Sequence, residues 1–180
     1  MSNEDANRID KTLPANLVNI FGILLMIPIG LLTLLPYWCV WREIALFNFD
    51  AGVILISLIP SILIHEGLHG VGYMLGGAKF SEVKFGFLLS KLTPYAHCKI
   101  PLKASSYRIA VALPGLVLGI LPLIWGLFAH SATITFYGVI MVIAAAGDLI
   151  TLGMLFPIKN DLLVQDHPSK PGFQVLLDMR

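Results

Sequence analysis

The sequence predicts an all-α membrane protein of about four transmembrane helices, with a small cytoplasmic β-hairpin between helices two and three. Three observations lead there. Hydrophobic residues make up 57% of the 180 and charged residues only 13%, against about 25% charge in a soluble domain. The apolar residues fall in four blocks, each long enough for the roughly 20 residues that a bilayer-crossing helix needs. Between the second and third blocks, apolar and polar residues alternate with a period of two, the signature of strands. The whole chain, 1–180, reads as one integral membrane domain.

The elements follow in order. Met1 to Lys11 is polar and mixed in charge, without a basic leader or a small-residue cleavage site. The first apolar block is therefore expected to stay as an anchor. That block covers about 17–37, with Pro28 expected to kink it. The second covers about 51–77. In the segment after it, Val83, Phe85, Phe87 and Leu89 alternate with Glu82, Lys84 and Gly86, and Ala96, Cys98, Ile100 and Leu102 alternate with Tyr95, His97 and Lys99. These two runs flank Lys91-Leu92-Thr93-Pro94 and predict a β-hairpin turning there. The third and fourth spans cover about 107–129 and 133–156, and 157–180 is left as a polar tail.

Charge orients the bundle. Eleven of the twelve Lys and Arg residues lie in the N-terminal arm, the segment between spans two and three, or the tail; only Arg42 falls on the other side. The positive-inside rule makes the populated side cytoplasmic, with both termini there. Tyr37, Trp38, Trp41, Trp125, Phe136 and Tyr137 collect near the outer span ends, as an interfacial aromatic belt does. A net charge of +1 offers nothing to nucleic acid. Cys39 and Cys98 fall on opposite sides in this topology, which argues against pairing, and two cysteines support neither a disulfide scaffold nor a zinc-thiolate site.

Within the second span the chain reads His65-Glu66-Gly67-Leu68-His69. Residues four apart share a helix face, with Cβ atoms roughly 5–6 Å apart. Two imidazoles so placed can grip one Zn²⁺, with the intervening Glu beside it as general base. A His pair and a Glu among Ile, Leu and Val are costly unless they serve a purpose. A zinc hydrolase usually supplies a third protein ligand and leaves a position for water. The extended His-x-x-Gly-x-x-His form fails because position 75 is Leu, and Glu82 lies in the predicted hairpin. Asp148, Asp161, Asp166, Asp178, His97, His130 and His167 are what is left.

Among these, Asp148 is the acidic residue deep in a predicted span. A carboxylate there costs about 2.5–3.5 kcal/mol on insertion scales and calls for a partner. Depth points the same way. His65 lies 14 residues from the outer start of span two and Asp148 lies 15 from that of span four. At 1.5 Å per residue both sit roughly 21–23 Å below the outer surface. Gly72, Gly76, Gly115, Gly119, Ala144 and Ala145 let such helices approach closely. Pro60 either opens the backbone near the motif or bends the helix. His130 is expected in an outer turn, His97 on the hairpin surface and His167 in a turn of the tail.

The order H-E-x-x-H, then Leu113-Pro114-Gly115, then Gly147-Asp148 resembles the core helices of site-2 proteases. More closely, the chain is similar to a family of small bacterial membrane proteins described as putative zincin peptidases. The stretches Leu92 to Lys99, Tyr107-Arg108-Ile109-Ala110 and Asp166-His167-Pro168-Ser169-Lys170 look like that family's other marks. The resemblance implies His65 and His69 as zinc ligands and Glu66 as catalytic acid/base; the site-2 analogy adds Asp148. It implies a peptidase of the bacterial inner (cell) membrane acting on a membrane-associated protein or peptide. Two departures concern substrate positioning. Site-2 proteases carry Asn-Pro before their Asp-Gly, where this chain has Ala146-Gly147-Asp148-Leu149, and the Asn expected after Pro-Gly is missing.

The leading expectation is thus an intramembrane zinc peptidase. A non-catalytic zinc-binding membrane protein, a sensor or scaffold, would need the His pair without Glu66. A cation transporter would be expected to show an inverted repeat, which the chain lacks.

Overall fold

The computed structural model describes residues 8–12, 14–44, 48–88, 93–168 and 172–177. Strand β1 (Arg8–Thr12) leads into α1 (Ala15–Trp41), which runs through Pro28 and Pro36 as one helix. Arg42 ends it in the left-handed region, at φ 58°. Helix α2 (Ala51–Leu75) starts where the Asp50 carboxylate accepts the Val53 N–H at 3.0 Å. It runs through Pro60 without a break and stops at Gly76-Gly77. Gly77 takes φ 107°, a turn that a side chain would strain.

Strands β2 (Val83–Leu88) and β3 (Thr93–Cys98) form the expected antiparallel hairpin, with Phe85 opposite Ala96. Thr93 and Pro94 belong to β3 rather than to the turn; Leu89, Lys91 and Leu92 lie outside the described residues. Strand β4 (Leu102–Lys103) opens directly into α3 (Ala104–Pro114), a π-helical segment (Gly115–Ile120) and α4 (Leu121–Phe128), which together make one long apolar helix. Helices α5 (Ala132–Ala144) and α6 (Ala146–Leu155) follow, then β5 (Leu163–Asp166) and β6 (Gly172–Leu176).

Three expectations need correction. The fourth span is not one helix: α5 and α6 meet at Ala145 with a 53° bend. The bend falls in the run Ala144-Ala145-Ala146-Gly147 and is tucked between two glycines. A methyl added at Gly22 would touch Ala146 at 3.5 Å, and one at Gly115 would touch Ala145 at 3.4 Å. Small residues on both sides let α6 fold over toward α1 and α3.

The fold is also not all-α. Besides the hairpin, a four-stranded antiparallel sheet in the order β1-β6-β5-β4 joins the N-terminal arm, the tail and the entry to α3. The arm and tail read as polar because their strands are short. Yet Phe173 and Val175 are buried on one face of β6 while Gln174 reaches the Asp10 and Arg8 side chains on the other. Finally, the aromatic belt is only partial. Trp38 and Trp125 are exposed, but Tyr37 is buried and Tyr137 turns inward to share a 2.6 Å hydrogen bond with Ser61.

The connections define two ends. The sheet gathers β1, β4, β5 and β6 at one end. At the other, the Trp41 indole donates to the Leu127 carbonyl at 2.8 Å and the Asp50 N–H to the Thr133 hydroxyl at 2.9 Å. Hence α5 and α6 together return the chain to the sheet end. Among the described residues, three helices are long and apolar enough to cross a membrane, or four if the bent pair counts as one. Almost none of the α1 stretch is covered by protein; Ile23, Ile27, Leu31 and Leu32 are exposed. The main core lies toward the sheet end, around Tyr73, Cys98, Tyr107, Leu155, Val164 and Phe173.

Candidate metal centre

His65 and His69 stand one helical turn apart on α2, and Asp148 lies in the first turn of α6. The bend at Ala145 aims that turn at α2, and a helix N-terminus favours a carboxylate there. Asp148 reaches both rings: its Oδ2 is 3.2 Å from His65 Nε2 and its Oδ1 is 3.4 Å from His69 Nε2. The three ligand atoms lie within 4.8 Å of one another, the sole such group of three among the described residues. The side chains of His65, His69 and Asp148 are 15%, 10% and 22% exposed, so the group is sheltered yet not sealed from water.

The donor set fits a metal on its own chemistry. His69 Nδ1 lies 3.0 Å from the Ala110 carbonyl oxygen. A carbonyl only accepts, so Nδ1 carries the proton, and in a neutral ring Nε2 then carries the lone pair. That lone pair faces the Asp148 carboxylate, and two acceptors facing each other need a cation or a proton between them. A ring nitrogen held by a backbone carbonyl is also what orients metal-binding imidazoles. The contact depends on Gly72: any β-carbon there would fall on the Ala110 backbone. The small residues of α2 therefore serve its approach to α3, whereas sequence reasoning had them bring spans two and four together.

Glu66 follows His65 on α2, and its carboxylate faces the backbone N–H of Ala96. This places it against a strand edge. Lys99 N–H pairs with Glu82 O at 2.9 Å, so the hydrogen-bonded pairs of the hairpin include Lys84 with His97 and Gly86 with Tyr95. The backbone groups of Pro94, Ala96 and Cys98 then point away from β2. The edge of β3 that faces away from β2 is thus the side turned toward α2 and Glu66, where the Ala96 N–H is engaged.

The remaining candidates sit elsewhere. Glu82 caps a turn, accepting the Lys79 N–H at 2.7 Å. His130 stacks on Trp41 at 4.0 Å and lies 3.2 Å from Glu43, at the far end from the sheet. His167 approaches Asp10 at 3.8 Å. Asp178 is outside the described residues. Asp166, read as part of a polar tail, is instead buried among Tyr73, Tyr107, Cys98 and His97. The signal for it is the run Asp166-His167-Pro168, one of the marks of the family resemblance, which by itself carries no chemistry. Arg108 also has work that the sequence did not reveal: its guanidinium donates to the Leu155 and Ile158 carbonyls and the Asn160 side chain, holding the end of α6.

A family model described as "Putative zincin peptidase" matches residues 58–163, from within α2 to the start of β5. No curated protein and no solved structure matches the chain.

Proposed function

The chain belongs to the family described as "Putative zincin peptidase", and from that premise we propose that it is a zinc-dependent intramembrane peptidase hydrolysing a membrane-associated protein or peptide. The observation that carries this is the convergence of His65 Nε2, His69 Nε2 and the Asp148 carboxylate beside Glu66. Those three side chains would hold the ion. Zinc, when bound, supplies a Lewis acid and brings the pKa of water to about 7.

The protein does the rest. Glu66 takes the proton of the attacking water as oxygen bonds to the scissile carbonyl carbon, then delivers it to the amine nitrogen as the C–N bond breaks. The Pro94 and Ala96 carbonyls on the outward edge of β3 hold the substrate extended next to Glu66 by backbone pairing. The bundle lies in a bacterial cell membrane, its sheet end and both termini cytoplasmic; the uncovered apolar faces of α1 and α2 and the basic residues of the sheet end support this.

The test is direct. In detergent, purified protein loaded with zinc cleaves an unfolded protein such as β-casein, and chelation stops it. Glu66→Gln keeps its zinc and loses activity by about 10²–10⁴-fold, the usual worth of a general base. Full hydrolysis by Glu66→Gln sinks the acid/base assignment, and a purified protein that refuses zinc sinks the reading entirely.

A further inference from the structure

Three stretches of the sequence supply neither a metal ligand nor the acid/base group: Leu92 to Lys99, Tyr107 to Ala110, and Asp166 to Lys170. The described parts of all three converge on the Asp166 carboxylate. Its Oδ2 accepts the Cys98 N–H at 2.6 Å and lies 3.6 Å from His97 Nδ1. Its Oδ1 accepts the Tyr107 hydroxyl and, at 3.4 Å, the Tyr73 hydroxyl.

Each partner leads toward the metal centre. Tyr73 is one turn beyond His69 on α2, and the two rings stack at 6.4 Å. Tyr107 is one turn before Ala110, whose carbonyl holds His69. Cys98 is on the same outward edge of β3 as Ala96, which faces Glu66. A single carboxylate from β5 therefore ties together the helix that bears the His pair, the helix that orients it and the strand edge beside the general base.

We propose that Asp166 is a positioning residue: it fixes the edge of β3 against α2 and occupies its Cys98 end, so that an extended substrate is received at the Ala96 and Pro94 carbonyls and goes no further. This rests on the peptidase reading above. An isolated two-stranded hairpin is marginal in water, so the strand needs an anchor on its far edge. Pro94 has no N–H and the Ala96 N–H is held by Glu66, so a side-chain oxygen on the Cys98 N–H takes the last donor of that edge and a bound strand cannot continue past Ala96.

The test compares the intact parent with Asp166→Ala and Asp166→Asn. Hydrogen exchange followed by mass spectrometry reads the anchor. Asp166→Ala loses protection in the β3 segment while its zinc content matches the parent, and Asp166→Asn, which keeps an acceptor for Cys98, recovers most of the protection. With β-casein as substrate, Asp166→Ala raises KM by about tenfold and leaves kcat within about threefold, the split expected for a group that acts on substrate placement. Its products also include cuts displaced from the parent's sites. Unchanged exchange in β3, or a parent-like KM and parent-like cut sites, overturns the proposal. Loss of zinc from Asp166→Ala overturns it too, because Asp166 is then a support of the metal centre. If the parent cuts nothing, the peptidase reading fails, and exchange in β3 alone decides whether Asp166 holds the edge.

Discussion

At the scale of single residues, the site is a matter of which atoms carry protons. The Ala110 carbonyl takes the Nδ1 proton of His69, which leaves Nε2 directed at the Asp148 carboxylate. Asp148 bridges both rings, so its negative charge is what suits the cluster to a cation. Asp148→Asn keeps the shape and removes the charge. It is expected to weaken zinc binding by more than the roughly 10–100-fold that loss of an outer hydrogen-bonding partner costs. Competition against a chromophoric chelator measures this, and an unchanged affinity removes Asp148 from the ligand set. Zinc loading should also raise the melting temperature of the parent, because an ion that binds only the folded state stabilises it by mass action. Asp148→Asn should lose most of that increment.

At the scale of elements, close approach decides the geometry. Gly72 brings α2 onto the Ala110 backbone, and nothing larger fits. Gly72→Val is expected to push the helices apart, lengthen the His69–Ala110 hydrogen bond and lower zinc affinity by about 10–100-fold, the range for an outer partner of a metal ligand. Gly67 faces open space, so Gly67→Ala serves as the control and should bind zinc like the parent. The sheet supplies a pH dependence. Burial, only partly offset by the Tyr107, Cys98, His97 and Tyr73 contacts, holds the Asp166 carboxyl above the usual carboxylate range. Folding then favours its protonated form. The stability withheld while it is ionised returns as pH falls through the folded pKa, and is complete below the unfolded value near 3.9. The parent should therefore gain melting temperature relative to Asp166→Asn between neutral pH and about 4, and parallel curves would remove Asp166 as the source. How much of this was legible varies with length and burial. The long helices, the hairpin and the meeting of His65, His69 and Asp148 follow from hydropathy, period-two alternation and depth. The β1-β6-β5-β4 sheet does not, because runs such as Phe173-Gln174-Val175 are too short to separate from a loop. Nor does the Asp166 cluster, whose members lie on α2, α3, β3 and β5 and meet only once the chain is folded.

At the scale of the whole molecule, the fold has a polar, strand-bearing end and a helical body whose outer surface is apolar. Helix α1 shows Ile23, Ile27, Leu31 and Leu32 outward, and α2 shows Leu55, Ile56, Ile59 and Leu63. Patches this large are tolerable only when covered, and helices this long and apolar are compatible with a bilayer as the cover. The depth argument made from sequence supposed a straight fourth span. The bend at Ala145 nonetheless leaves Asp148 beside the His pair. Helix α5 leaves the Trp41 end and α6 continues toward the sheet end, so Asp148 still lies at the level of the His pair. Because β1 pairs with β6 and β4 with β5, the arm, the segment entering α3 and the tail must share one side of any membrane. This makes a topology prediction independent of catalysis. Cys98 is buried and Cys39 is exposed, so single exposed cysteines can be introduced into a Cys39→Ser background. In intact cells a membrane-impermeant maleimide is expected to label Asn48→Cys, at the turn between α1 and α2. It should label Lys84→Cys, on the hairpin, only after the membrane is opened. Labelling of both positions from the same side would contradict a bundle that crosses the membrane between them. The sheet and the hairpin would then have to lie on the same face as the Trp41 end, which the pairing of β1, β4, β5 and β6 at the opposite end of these helices does not permit.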